Sequence, residues 1–326
     1  MRDIFFVLPD KYREKKWPDL LSIDKNFSLE DLAPRMVSGI DCWIVQTGLL
    51  LKKYSNFNIE FVNTGIPGEI CVYHYNYAHI RYEVHRSFSV VVRADRPPVN
   101  LADISIEQNP SVENTKSVKY IPHWPQPGVV PRDAARGTLV RKIAYVGSSQ
   151  YIPDYIKSKR FTKFLSEKNI DFSYMVNGDW LNYRDIDVLI AVRDVAESVL
   201  KTKPASKLVN SWIAGVPIIL SSEPAYRAIR QSDFDYLEAN NLQELLRCVD
   251  NLTSNGELYT QILNNAEIRR KEYTLENVVK SWVDFFESIK IDVKTYSRDE
   301  VFLRKLRYFI SLGKNKVWRL IHNWSD

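Results

Sequence analysis

The densest concentration of chemically useful residues lies between Lys203 and Ser222, in KPASKLVNSWIAGVPIILSS. Pro204 suits a first helical turn, and Gly215 suits the left-handed residue that ends a helix. The spacing predicts a helix closing at Gly215 and a buried strand starting two residues later. The uncapped N–H groups and partial positive charge at such a helix start attract a diphosphate. Ser206 and Lys207 stand where a hydroxyl and an ammonium reach phosphate oxygens, and the Asn210 amide suits a ribose hydroxyl. Glu223, opening EPAYRAIRQ, joins this set. The segment also reads as a plain helix–glycine–strand crossover of the kind common in doubly wound proteins.

Other candidates cluster at strand ends. Gly147 and Ser148 close KIAYVGSS, where flexible backbone can approach a pyrophosphate. Arg193 directly follows the apolar run VLIAV, and its planar fork matches phosphate geometry. In MVNGDWLNY, Gly178 offers backbone groups to the edge of a base and Trp180 a face for stacking, with Tyr183 as the other stacking candidate; loop packing is the competing reading. GSSQ matches neither G-x-G-x-x-G nor the P-loop, and Tyr151 occupies the last glycine position of G-x-S-x-G. In the first half, His74 ends ICVYH and Asp95 follows VVVRA. Either can accept a proton from a hydroxyl, His74 because its ordinary pKa is near neutrality. The competing readings are a structural histidine and an aspartate in a proline-terminated turn.

Elements must hold these residues in place. RDIFFVLP reads as a strand buried on both faces, Gly39 to Tyr54 as a helix, and NIEFVNTG, EICVYHY, SFSVVVRAD, ADISIEQN and VKYIPH as further strands. Residues 121–139, IPHWPQPGVVPRDAARGTL, contain four prolines and form the expected linker between a domain over 1–120 and another over 140–295. The second half alternates cleanly: strand KIAYVGSS, a helix from about Pro153 to Lys168, strands DFSYMVNG and DVLIAVRD, then helix, strand and helix, with TLENVVKSWVDFFESIK closing the domain. That alternation predicts a parallel sheet with ligands at the carboxyl ends of its strands.

With Lys203 to Ser222 in that setting, the sequence resembles the glycosyltransferases of GT-B architecture. In these a Pro-x-x-Lys or related start leads into a helix closing with small-residue-Gly-x-Pro and a hydrophobic strand. The resemblance covers about Lys142 to Ile289. It implies an α/β protein with two Rossmann-like domains and a C-terminal helical extension. It further implies a nucleotide-sugar donor on the second domain, an acceptor presented by the first across the linker, and no cofactor. One branch of the family carries two glutamates flanking the helix start, where this chain has Thr202 and Asn210. The readings kept beside transfer are therefore a catalytically inactive sugar-nucleotide-binding protein and a nucleotide-sugar epimerase. Asp185-Ile-Asp187 spells the D-x-D of metal-dependent glycosyltransferases, but it precedes its strand, and no metal site is expected.

The chain has 326 residues, 45% hydrophobic and 26% charged, and its net charge of +5 separates 45 basic from 40 acidic side chains. Such a balance gives no ground for a nucleic-acid partner. Three scattered cysteines exclude a disulfide framework, the run Ile4 to Leu8 is too short for a signal peptide, and no stretch approaches the ~20 apolar residues of a membrane span. A cytoplasmic protein is expected. Residues 301–324 interleave apolar and basic residues, with Phe302, Leu303, Leu306, Phe309 and Ile310 on one helical face. Two readings stay open for this tail: a helix lying on the anionic inner face of a membrane, or one docked on the protein.

Overall fold

The computed structural model describes residues 2–176, 180–289 and 296–321. The chain is an α/β protein of two compact units, residues 1–122 together with 276–326, and residues 123–275.

The first unit holds six parallel strands, β1 (Asp3–Val7), β2 (Asn58–Val62), β3 (Ile70–His74), β4 (Phe88–Val92), β5 (Ile104–Glu107) and β6 (Val118–Tyr120), in the order β2-β1-β3-β4-β5-β6. The central strands bury every residue of Ile70–His74 and Phe88–Val92, which is why they read as unbroken apolar runs. Helices α1 (Asp10–Lys16) and α2 (Leu29–Leu32) follow β1, and α3 (Thr47–Tyr54) continues a wide-turned π-helical segment, Asp41–Gln46. The predicted single helix over 39–54 thus contains a loosened turn, and that turn faces the sheet: all six of its residues are buried.

In the second unit five parallel strands, β7 (Lys142–Gly147), β8 (Asp171–Val176), β9 (Val188–Ala191), β10 (Ile218–Leu220) and β11 (Leu237–Glu238), run in the order β11-β10-β9-β7-β8. Between them lie α4 (Lys159–Glu167), α5 (Glu197–Leu200), α6 (Ser206–Ala214) and α7 (Pro224–Ile229), followed by α8 (Leu242–Ser254) and α9 (Gly256–Arg269). Side chains alternate across the strands. Ala144, Leu189 and Leu220 pack with Leu208 and Trp212 of α6 on one face, while Ile143, Ile190 and Ile219 pack with Phe161 of α4 and Val249 of α8 on the other. Helix α4 begins later than the sequence suggested. Ser158 caps it by accepting from the Phe161 N–H, and tight 3-10 turns occupy Ser149–Tyr151 and Asp154–Lys157.

Two C-terminal helices, α10 (Leu275–Ser288) and α11 (Arg298–Ile321), correct the expected domain limits. The segment assigned by sequence to the second domain packs in the first: Trp282 meets Trp43 and Phe286 meets Phe57 edge to face. Helix α11 belongs there too. An amphipathic pattern states that a helix needs an apolar partner, but not which sheet supplies it.

Candidate functional site

Both sheets reverse their strand order once, at β1 between β2 and β3 and at β7 between β8 and β9. Such switch points open a crevice at the carboxyl ends of the strands.

In the second unit that edge gathers five of the predicted residues, Gly147, Arg193, Ser206, Lys207 and Glu223. Helix α6 starts at Ser206 with no side-chain cap, because its N-cap residue is Ala205. Lys207, in its first turn, reaches back to the end of β7: a Cβ placed on Gly147 would lie 2.7 Å from the Lys207 Nζ. Glycine at 147 is what lets the amine approach the strand end. At its other end α6 closes on Gly215, left-handed at φ 65°, with the Val216 N–H bonded to the Ser211 carbonyl. Arg193, just after β9, forms a 2.8 Å ion pair with Glu223 and donates to the Tyr226 hydroxyl at 2.8 Å. Glu223 is fully buried and accepts from the Ser221 hydroxyl. Arg193 is therefore committed to protein partners rather than standing as an open phosphate ligand, and Lys207 is the cation beside the uncapped helix start.

Electrostatics agree with that division. Burial of the amine, and next the Arg193 guanidinium, holds Lys207 well below the ordinary lysine range, with Glu223 pulling the other way. The charge of a bound anion would oppose both effects. The Tyr145 hydroxyl, pushed up to about 12 by burial, sits by the same glycine with no hydrogen-bond partner among the described residues. Sequence reasoning missed Tyr145 and Tyr226. For Tyr145 the available signal was a tyrosine inside an otherwise apolar parallel strand, since a buried phenol normally seeks a partner; Tyr226, in α7, had none.

Several other predicted residues take different places. Ser148 follows Gly147, half-buried, and Asn210 lies one turn along α6 from Ser206, also half-buried. Gly178 lies outside the described residues. Trp180, partly buried, packs against the core cluster that contains Tyr183, itself 2% exposed. The D-x-D is structural. Asp187 is fully buried and accepts from Arg132, Arg136 and the backbone N–H groups of Arg141 and Lys142, while Asp185 pairs with Lys142. Among the described residues no cluster of three metal-ligating side chains occurs. A cavity of about 430 Å³, lined in part by Arg132, Thr138, Gly215 and Arg270, sits at the opposite end of α6 from Lys207.

At the first unit's switch point, His74 closes β3 and is 2% exposed. Its Nδ1 accepts from the Asn76 N–H, which leaves the proton on Nε2, beside Gly39. Burial, and then the Arg96 charge, lowers its pKa to about 4 against the opposing pull of Asp95 and Asp41. A neutral imidazole of such low basicity is a better hydrogen-bond donor than proton acceptor near neutral pH. Asp95 follows Ala94, whose backbone is held left-handed at φ 54° and which is itself buried. Asp41, in the π-helical segment, is also buried and accepts from Tyr12, Trp17 and the Ser38 N–H. Its carboxylate was invisible to motif reasoning because it has no strand-end or sequence signature.

No known protein family and no curated protein matches the sequence. Among solved structures the chain is similar to Anabaena HepE in complex with UDP and glucose, at 11% identity over 89% of this chain and 100% of that one, with a TM-score of 0.49. It is similar to the sucrose-phosphate synthase of Thermosynechococcus elongatus at 10%, over 89% and 99%, with a TM-score of 0.43. It is also similar to the pneumococcal O-GlcNAc transferase GtfA in complex with UDP and GlcNAc at 10%, with a TM-score of 0.44. That match takes in 68% of this chain, which spans 57% of the length of GtfA. At this distance the likeness is one of chain path alone.

Proposed function

We propose that the chain is a glycosyltransferase moving a sugar from a nucleotide-diphosphate donor to a hydroxyl of a glycan or lipid-linked acceptor, without a metal ion. The observation that supports this reading most is Lys207 seated against Gly147 at the switch point of the second sheet, beside the uncapped start of α6. An amine and a set of fixed N–H dipoles at one point suit a pyrophosphate, and they stabilise it most when sugar transfer leaves it with extra charge. Ser206 adds a hydroxyl to the same helix turn. Asn210 would meet the ribose, and Gly147 and Ser148 the pyrophosphate or the transferred sugar. Arg193 and Glu223 act on the lysine in opposite directions, Arg193 the more strongly. On the first unit, His74 and Asp95 are the proposed acceptor-side pair, His74 donating to a sugar oxygen and Asp95 accepting the acceptor proton. The three cysteines are free and buried, consistent with a proposed cytoplasmic location.

The test is incubation with UDP-, GDP- and dTDP-sugars, with and without EDTA. Slow release of nucleotide diphosphate that survives EDTA is the expected result. Isomerised sugar would replace transfer by epimerisation, binding without turnover would mark a sugar-nucleotide sensor, and restoration by Mn²⁺ after EDTA would overturn the metal-free mechanism.

A further inference from the structure

Helix α11 joins two properties that the sequence left as alternatives. Its inner face is fastened to the first unit. Arg304 donates to both carboxylate oxygens of Asp103 at 2.6 and 2.7 Å and to the carbonyl of His85 at 2.9 Å. Tyr308 packs edge-on against His79, Asn315 donates to the Pro98 carbonyl, and Arg319 to the Tyr75 hydroxyl. With the inner face fixed, the outward face is fixed as well. It consists of Phe302, Leu306, Phe309, Ile310, Val317 and Leu320, each between 46% and 78% exposed.

At about 100° per residue these six fall within an arc of about 100°, centred opposite Arg304, Tyr308 and Asn315. Basic residues border the arc on both sides, Lys305 and Lys316 along one edge and Arg307 and Lys314 along the other. From Val301 to Ile321 there is no acidic residue. A stripe of large apolar side chains this long, about 27 Å at 1.5 Å per residue, is unusual on a free protein surface.

We propose that α11 is a docking face for an anionic lipid bilayer, lying in the plane of the headgroups with its apolar stripe turned to the acyl chains. The charge arrangement selects this occupant. Basic side chains flanking an apolar stripe extend to phosphate and carboxylate headgroups on either side while their stems stay in the apolar layer. A second copy of the chain would instead bring the basic edges of two identical stripes together, where like charges repel. The helix lies on the bilayer and does not cross it: no helix of the described residues is long and apolar enough to span a membrane. The inference is independent of the donor chemistry.

The experiment is co-sedimentation of the full chain with phosphatidylcholine vesicles, with and without phosphatidylglycerol, and without any nucleotide sugar. Two double variants accompany it, Leu306→Glu with Ile310→Glu on the stripe and Lys305→Glu with Lys314→Glu on its edges. All four side chains are exposed, so thermal unfolding should match the unsubstituted chain. The chain should partition onto phosphatidylglycerol vesicles, weaken as salt rises, and lose about ten-fold or more of its binding in either variant. Equal sedimentation with and without vesicles, or a stripe variant that binds as well as the original, would overturn the proposal. So would self-association in vesicle-free solution that the stripe variant abolishes, which would assign the face to a second copy. Binding of UDP or GDP, measured separately, shows whether the transferase reading stands or falls on its own.

Discussion

At the scale of single residues, Lys207 and His74 are both ionisable groups that the fold holds toward their neutral forms, and each makes a measurable prediction. Lys207 is depressed by burial and by Arg193, so a diphosphate seated beside it should raise its pKa. Binding of UDP or GDP is therefore expected to weaken as pH rises through the titration of Lys207. Calorimetric affinities measured across pH for the original chain and for Lys207→Ala read this directly, and identical pH profiles would remove Lys207 from contact with phosphate. Lys207→Ala should cost about 1.5 to 3 kcal/mol of binding with the fold intact. For His74 the sign runs the other way in pH. Its folded pKa of about 4 lies below the ordinary value of 6.5, so the stability tied to its neutral form is complete above pH 6.5 and is lost as pH falls toward 4. The loss amounts to about 3 kcal/mol. Urea unfolding between pH 7.5 and 4.5 should show a steeper acid loss in the original chain than in His74→Gln; parallel curves would contradict the burial argument.

Among the elements, a dense set of hydrogen bonds joins the segment before β7 to the start of β9. Burial raises the Asp187 carboxyl, but Arg136, the Arg141 N–H and Arg132 together hold it below the usual aspartate range. Asp187→Asn keeps the shape and leaves the buried Arg132 guanidinium and the half-buried one of Arg136 without their counter-charge. It should lower the stability of the second unit by about 3 to 5 kcal/mol, read by urea unfolding, while activity per folded molecule is unaffected by metal. A neutral effect would return Asp187 to consideration as a ligand. The position of the D-x-D ahead of its strand already argued against a metal site, but it did not show that Arg132 and Arg136 would close on Asp187.

For the whole molecule, the C-terminal helices belong to the unit that contains the chain's start. Removing α11 by truncation before Val301 strips Asp103 of Arg304 and leaves the His85 and Ser87 carbonyls without their donor. The expected outcome is a first unit destabilised by about 3 kcal/mol or more, seen in calorimetry as an earlier transition, with nucleotide binding by the second unit preserved. An unchanged thermogram would mean that α11 is not part of the unit's core. Truncation is for that reason a poor probe of membrane contact, and substitutions on the exposed stripe are the informative ones.

What the sequence determined by itself was whatever depends on local order: the strands, written as unbroken apolar runs because both faces of a parallel sheet are covered, and α6 with its proline start and glycine stop. It also determined that Ser206 and Lys207 begin a helix at a strand's carboxyl edge. Tertiary structure decided what depends on distance through space. It brought Glu223 to Arg193 across 30 positions, Asp187 to Arg132 across 55, and Arg304 to Asp103 across 201. Each pairing turned a candidate ligand or a surface charge into a buried support. Charge partners separated by that much chain leave no periodicity to read, so only the folded molecule shows that Lys207, alone among those cations, stands at the open start of its helix.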